Sequence, residues 1–125
     1  MKKLGELAES KFIAECLSRD FDVSIPFGDS SPYDLIVTSE NINRVQVKST
    51  STVNRERYHI TCGWGHKSKK LYDENKIDIF AIYVKGYDWY IIPSGEIKTK
   101  TINLYPHRLN TVGKYEIYKG AWDLL

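Results

Sequence analysis

The stretch PYDLIVTSENINRVQVKST, residues 32–50, contains two short apolar runs that each carry polar groups a strand does not need. YDLIV (33–37) and RVQVKST (44–50) alternate like strands, and the TSENIN segment between them is rich in turn-forming residues. The stretch therefore predicts a β-hairpin with its turn near Glu40.

The polar side chains of this hairpin are predicted to share one face. With the turn near Glu40, Asp34 lies opposite Gln46, and Lys48 projects from the same face because side chains alternate along a strand. Cross-strand neighbours lie about 5 Å apart at Cβ, so their oxygens can share one ion. Mg²⁺ prefers oxygen ligands, and we predict Asp34, Gln46 and the backbone carbonyl of Val47 as its ligands beside a phosphate. Lys48 would offset charge that develops on that phosphate.

A helix is predicted over residues 2–19, where alanine, leucine, lysine and glutamate dominate and no proline occurs. Glu9 falls on the stripe of this helix that carries apolar side chains as far as Cys16. Because a core-facing carboxylate is costly without a partner, we expect Glu9 to reach Lys48 or the cation. Gly5, one turn earlier, would let another backbone or a ligand approach.

Each of these polar residues also has a purely structural explanation. An aspartate at a strand start is most often a turn cap, and a lysine in a strand is usually solvated or blocks an edge. A glutamate among helix apolars often lies at the margin of the stripe. The combination of the acid, the Q-x-K pattern and the helix glutamate in this order favours the metal site.

The rest of the chain predicts further strands around the same sheet. IDIFAIYV and WYIIP form a hairpin whose first strand is apolar on both faces and therefore central. FDVSIPF (21–27) alternates like a strand, and Pro26 indicates either an edge strand or the end of the strand. RYHITC and TINLY predict strands, GWG a turn, KSKKLYDENK a short exposed helix or a loop, and YEIYKGAWDLL a cluster over the core. We expect one α/β (α+β) domain, residues 1–125, with a mixed central β-sheet flanked by helices.

Composition excludes several classes of protein. The 125 residues are 42% hydrophobic and 27% charged, which is typical of a globular domain and long enough to bury a core. No apolar run approaches the roughly twenty residues that span a bilayer, and the N-terminus is not that of a signal peptide. The two cysteines, Cys16 and Cys62, form no CxxC motif, so we expect reduced thiols in a cytoplasmic, intracellular protein.

Charge is distributed unevenly along the chain. Residues 1–34 hold four basic and seven acidic side chains, whereas residues 44–70 hold seven basic ones and a single glutamate. A basic segment beside an acidic one suits a phosphate-binding surface around a metal site, although a solvated basic loop would look the same. The predicted nucleic-acid contacts are Arg44, Arg55, Arg57, Lys67, Lys69 and Lys70.

Other possible sites are weak. His59, Cys62 and His66 offer three zinc-competent side chains, but no fourth ligand follows at a convincing spacing, and a plain loop is the better interpretation. GWGHKSKK does not have the spacing of a P-loop. We expect no nucleotide cofactor, no acyl-transfer triad and no membrane helix.

Three motifs together resemble a known superfamily. The pattern G-x-x-A-E from Gly5 to Glu9, the P-Y-D of residues 32–34 and the V-Q-V-K of residues 45–48 resemble the PD-(D/E)XK nuclease superfamily. Within it, the likeness is to the group I intron homing endonuclease branch and to archaeal Holliday-junction resolvases. It covers residues 2–50 well and continues more loosely through residues 77–93.

The resemblance implies a restriction-endonuclease-like core, Mg²⁺- or Mn²⁺-dependent hydrolysis of DNA phosphodiesters, and a homodimer or homotetramer. It implies a catalytic set of Glu9, Asp34, Gln46 and Lys48. Gln46 departs from the motif, which has Asp or Glu there, although the homing branch resembles this sequence in carrying such a glutamine. Three functions remain open: a homing or restriction-like endonuclease, a resolvase of branched DNA, and an inactive nuclease fold that binds DNA or inhibits a partner.

Overall fold

The chain opens with an α-helix, α1 (Lys2–Ser18), which confirms the helix predicted for residues 2–19. Asp20 has a left-handed backbone with φ of 60°, and just beyond it the N–H of Phe21 donates to the carbonyl of Cys16 at 3.0 Å. This bond satisfies a terminal carbonyl of the helix and turns the chain back towards the sheet. The structure is a computed structural model, and it describes residues 2–51, 53–54, 56–64, 70–71, 76–109 and 112–125.

Ten strands follow the helix in these described stretches. In chain order they are β1 (Asp22–Ser24), β2 (Leu35–Thr38), β3 (Ile42–Thr50), β4 (Val53–Asn54), β5 (Arg57–Thr61), β6 (Gly63–Trp64), β7 (Lys70–Leu71), β8 (Ile79–Val84), β9 (Trp89–Pro93) and β10 (Thr101–Leu104). The largest sheet has the order β1-β2-β3-β8-β9, in which β3 and β8 are parallel and the other neighbours antiparallel. The predicted mixed central sheet is confirmed.

The β2–β3 hairpin has the predicted register. Leu35 pairs with Val45 and Thr38 with Ile42, so the turn centres on Glu40. If the same register is extended by one residue beyond Leu35, position 34 lies opposite position 46. The apolar side chains of Leu35 and Val45 are buried on one face, which leaves the alternate positions of β3 for the other.

The predicted roles of the outer and central strands are confirmed. β1 is the edge strand, and Pro26 lies beyond its end, outside the ladder. β8 lies between β3 and β9 and is buried at every residue, because both faces of the sheet are covered at this strand. Its hairpin with β9 pairs Tyr83 with Trp89, as the apolar pattern predicts.

The two faces of the five-stranded sheet are covered differently. Helix α1 packs on one face, where Phe12 contacts Trp89 with ring centroids 5.3 Å apart. The other face buries Ile82 and Tyr90 against the three-stranded sheet β10-β5-β4, which contributes Ile60 and other apolar side chains. The face that carries Gln46 and Lys48 is therefore the one turned away from α1.

The middle of the chain differs from the prediction. The strand predicted at RYHITC is present as β5, but the first two residues of the predicted GWG turn form strand β6, which pairs with β7. β7 lies inside KSKKLYDENK, where a helix or a loop was expected. The remaining positions of these segments, 65–69 and 72–75, lie outside the described residues.

The C-terminal segment closes over the core, as predicted. Trp122 and Leu125 are buried in the cluster beneath α1. Glu116 is almost completely buried and accepts hydrogen bonds from the Tyr90 hydroxyl at 2.6 Å and from the Tyr105 N–H at 3.1 Å. Among the helices of the described stretches, none combines the length and the apolar character that crossing a bilayer requires.

Candidate active site

Asp34 lies directly before β2, and hydrogen bonds hold it against β3. Its N–H donates to the carbonyl of Val45 at 2.9 Å, and its Oδ2 accepts the N–H of Val47 at 2.8 Å. Burial raises the pKa of the Asp34 carboxyl, and the Val47 N–H and the Lys48 ammonium act against that rise. The carboxylate is thus fixed through its Oδ2 at the point where the polar face of β3 begins.

Gln46 and Lys48 occupy alternate positions of β3 and are both half-buried. They pair in register with Phe80 and Ile82 of the parallel strand β8. Burial lowers the pKa of the Lys48 amine, while Cys62 and Asp34 act in the opposite direction. Lys48 and Asp34 therefore interact electrostatically, and Gln46 lies between them along the strand.

Glu9 differs from its prediction. The buried stripe of α1 consists of Ala8, Phe12 and Cys16, whereas Glu9 is exposed at its margin, so the expected core-facing carboxylate is wrong. Glu9 nevertheless lies within electrostatic reach of Asp34. Partial desolvation raises the pKa of Glu9, and the charges of Asp34 and Glu6 raise it further.

Gly5 lies one turn before Glu9 at the start of the same helix. A Cβ built at Gly5 would meet no atom within 4 Å. Packing within the described protein therefore does not require glycine at this position, and the space above it is open to a ligand.

The two carboxylates form a like-charge pair that a cation would stabilise. Burial raises the pKa of both carboxyls, and the charge of Asp34 raises the pKa of Glu9 further. The described residues contain no group of three or more His, Cys, Asp or Glu side chains placed to hold a metal ion. A divalent cation here would need the amide oxygen of Gln46, a backbone carbonyl or substrate oxygens as well, which fits the oxygen preference of Mg²⁺ and Mn²⁺.

Arg44 has a partner inside the protein. Its Nε and Nη2 donate to the two carboxylate oxygens of Asp78, each at 3.0 Å, and its backbone N–H donates to Oδ2 at 2.8 Å. The N–H of Asp78 donates in turn to the Arg44 carbonyl at 2.9 Å. Arg44 thus joins β3 to the start of β8, and its expected contact with nucleic acid stays a prediction. Asp78 has a lowered pKa because of these bonds.

The other predicted nucleic-acid contacts are placed only in part. Arg57 lies half-buried at the start of β5, and Lys70 is the first residue of β7. Of the zinc-competent side chains, His59 is exposed and Cys62 is buried, which does not suit a shared ion. Outside the described residues lie Arg55, His66, Lys67 and Lys69.

Sequence reasoning missed three contributors to this region. The ion pair between Asp78 and Arg44 was missed because the two residues lie far apart in the sequence. The hydrogen bond from the Val47 N–H to Asp34 was missed because the sequence prediction considered only side chains. Cys62 follows β5 and lies close enough to Lys48 to affect its pKa, which only the packing of β5 on the sheet reveals.

Comparisons with known proteins agree with this fold. A bacterial homing endonuclease, I-Ssp6803I, has the same fold with a TM-score of 0.85 and 24% identity over 99% of this chain and 91% of the other. Hjc from Archaeoglobus fulgidus, a Holliday junction resolvase, aligns with a TM-score of 0.57 and 10% identity over 90% and 88% of the two chains. No curated protein matches the sequence. A family model described as PD-(D/E)XK endonuclease matches residues 1–114, nearly the whole chain, and the protein therefore belongs to the PD-(D/E)XK endonuclease family.

Proposed function

We propose that this protein is a Mg²⁺-dependent DNA endonuclease of the homing or restriction-like kind. The observation that carries the proposal is the position of Asp34, Gln46 and Lys48 on one face of the β2–β3 hairpin, with Asp34 held by the Val47 N–H, because a carboxylate and an amide next to an amine suit a cation and a phosphate. Bound there, Mg²⁺ or Mn²⁺ would supply Lewis-acid polarisation of a phosphate oxygen.

The cation would be held by oxygens of the β2–β3 hairpin. Asp34 offers its Oδ1, since Oδ2 already accepts the Val47 N–H. The Val47 carbonyl points to the same edge of β3 as its N–H, because both groups of a strand residue lie on one side. Gln46 lies opposite position 34 and supplies its amide oxygen. Together these groups make a partial ligand set that substrate and water oxygens would complete.

Lys48 acts on the reacting phosphate in this mechanism. Its ammonium orients the attacking water and offsets the negative charge that grows on the phosphoryl oxygens. Desolvation lowers its pKa, and the neighbouring Asp34 carboxylate helps to keep it charged. Glu9, at the margin of α1, balances the combined positive charge of Lys48 and the cation.

Two other functions are separated from this one by specific tests. A resolvase of branched DNA would cut four-way junctions in preference to linear duplex. An inactive fold that binds DNA or inhibits a partner is favoured by Gln46, which removes one negative charge from the metal site. That function predicts DNA binding without nicking that depends on a divalent cation.

The proposed partner is DNA, and the proposed assembly is a homodimer or homotetramer. One chain carries one set of site residues, so cutting both strands of a duplex is most easily done by a symmetric pair. Arg57 and Lys70 remain proposed phosphate contacts, as do Arg55, Lys67 and Lys69. An intracellular location remains a prediction, and so does the single domain over residues 1–125.

The deciding experiment is a nicking assay on supercoiled plasmid and on four-way junctions, with Mg²⁺ and with EDTA. Lys48→Met removes the ammonium but keeps most of the apolar volume, and we expect it to slow nicking by about 100-fold to 1,000-fold. Lys11→Ala, at an exposed lysine of the same protein, is the matched control and should nick normally. Nicking by Lys48→Met at the control rate, or nicking in EDTA, would contradict the proposal.

A further inference from the structure

The loop of residues 25–33 joins β1 to β2 and lies at the same end of the sheet as the candidate active site. The last pair between β1 and β2 is Ser24 with Ile36, so the loop extends beyond that pair and leads directly to Asp34. Its last residue, Tyr33, is partly buried and packs against the apolar cluster on the face of the sheet turned away from α1. The loop therefore borders the candidate site on the side of β2.

This loop exposes two large apolar side chains. Ile25 is 70% exposed, and Phe27 and Leu109 are the two most exposed large apolar side chains of the described residues. Gly28 has a left-handed φ of 78°, which bends the chain directly after Phe27. Because the phenyl ring is fully exposed, it adds little to the stability of the fold and is available to pack against another molecule.

The charge of the loop does not favour contact with phosphates. Residues 25–33 contain one charged side chain, Asp29, which is acidic. A duplex that reaches the candidate site would therefore meet this loop through apolar groups rather than through ion pairs. Phe27 follows Ser24 by three residues, which span at most about 10 Å. At about 3.4 Å per base-pair step, the ring lies within a few steps of a phosphate bound at Asp34.

We propose that Phe27 inserts as an apolar wedge between base pairs of the DNA, close to the phosphate that is cut. The inference rests on the proposed function, because it assigns an apolar contact to the same substrate. Phe, Leu, Ile, Met and Pro side chains inserted in this way unstack one step and kink a duplex by about 20–90°. Pyrimidine–purine steps are the most easily kinked, so Phe27 gives the enzyme a preference for cutting near such steps without hydrogen bonds to the bases.

The test compares the affinity for a matched 30-base-pair duplex with that for the same duplex carrying a central T·T mismatch, measured by fluorescence anisotropy. All proteins carry Lys48→Met, so that cleavage does not disturb the measurement. A mismatched step costs less to unstack, so the parent protein should bind the mismatched duplex about 10-fold more tightly. Phe27→Ala has no ring to insert and should bind both duplexes equally, whereas Phe27→Leu should keep most of the preference. A 2-aminopurine beside the mismatch should brighten when the parent protein binds and not when Phe27→Ala binds.

A control variant makes the result specific. Leu109→Ala removes another fully exposed apolar side chain, from outside the loop, and should keep the preference for the mismatched duplex. Because both side chains are exposed, neither alanine variant should unfold at a lower temperature than the parent protein.

Three results would count against these proposals. An equal preference of the parent and Phe27→Ala proteins for the mismatched duplex, or no binding by the parent protein, would overturn the inference. So would a Phe27→Ala protein that keeps the preference but dissociates in sedimentation, since the ring would then contact a second copy of the chain. Absence of nicking by the wild-type enzyme, with the preference still lost in Phe27→Ala, would overturn only the proposed function.

Discussion

Asp34 combines two roles that a pair of substitutions separates. Its Oδ2 accepts the Val47 N–H at 2.8 Å, while the charge of the carboxylate belongs to the proposed metal site. Asp34→Asn keeps an acceptor oxygen of the same shape and removes the charge, whereas Asp34→Ala removes both. We expect both variants to stop nicking and only the alanine variant to lose stability.

The size of that loss follows from the burial of Val47, which is 8% exposed. Removing the acceptor from a nearly buried N–H costs about 1–3 kcal/mol. At about 4 °C per kcal/mol for a domain of this length, a loss of about 2 kcal/mol lowers Tm by about 8 °C. Because burial raises the pKa of Asp34, the charged form is the less favourable one in the folded protein, and Asp34→Asn should cost less than about 1 kcal/mol.

Thermal unfolding followed by circular dichroism would test this in EDTA, where no cation contributes, beside a plasmid nicking assay in Mg²⁺. If Asp34→Asn unfolds as early as Asp34→Ala, the charge rather than the hydrogen bond stabilises the hairpin. If Asp34→Asn nicks at the wild-type rate, Asp34 does not hold the cation. Either outcome would refute the reasoning.

Three further predictions concern charge. Gln46→Glu adds a carboxylate next to Asp34 and should keep or strengthen Mg²⁺ binding in titration calorimetry; a large loss of affinity would contradict the proposed ligand set. The pKa values of Glu9 and Asp34 are raised, so without metal their contribution to stability is present at low pH and is lost as the pH rises through those values. Mg²⁺ binding should strengthen over the same pH interval. Unfolding temperatures that do not change across this interval, with and without Mg²⁺, would contradict the proposed pair. The pKa of Asp78 is lowered, so Asp78→Asn should reduce the free energy of unfolding by about 1 kcal/mol at neutral pH. Denaturant unfolding should show that the difference between wild type and variant disappears as the pH falls through that pKa.

The hairpin and its register could be predicted from sequence because the information is local. Apolar alternation and a turn near Glu40 determine which residues face each other, and Leu35 pairs with Val45 as expected. The central position of β8 was equally visible, since a strand that is apolar on both faces must be covered on both.

What could not be predicted depends on contacts between distant segments. Periodicity placed Glu9 among apolar side chains, but the angle at which α1 crosses the sheet buries Ala8 instead and leaves Glu9 at the margin. The ion pair of Arg44 with Asp78 could not be predicted, because only the parallel pairing of β3 with β8 brings the two residues together.

The crossover from β3 to β8 has a consequence for how this enzyme family can change. Both ends of the crossover are pinned, by the Arg44–Asp78 ion pair at one end of the paired strands and by the bond from Lys85 to Thr50 at the other. Doubling the length of such a connection costs only about 0.6 kcal/mol in closure entropy. Residues outside strand β5, which packs into the core through Ile60, can therefore be inserted or exchanged in this connection, while Gln46 and Lys48, the proposed site residues, keep their places on β3.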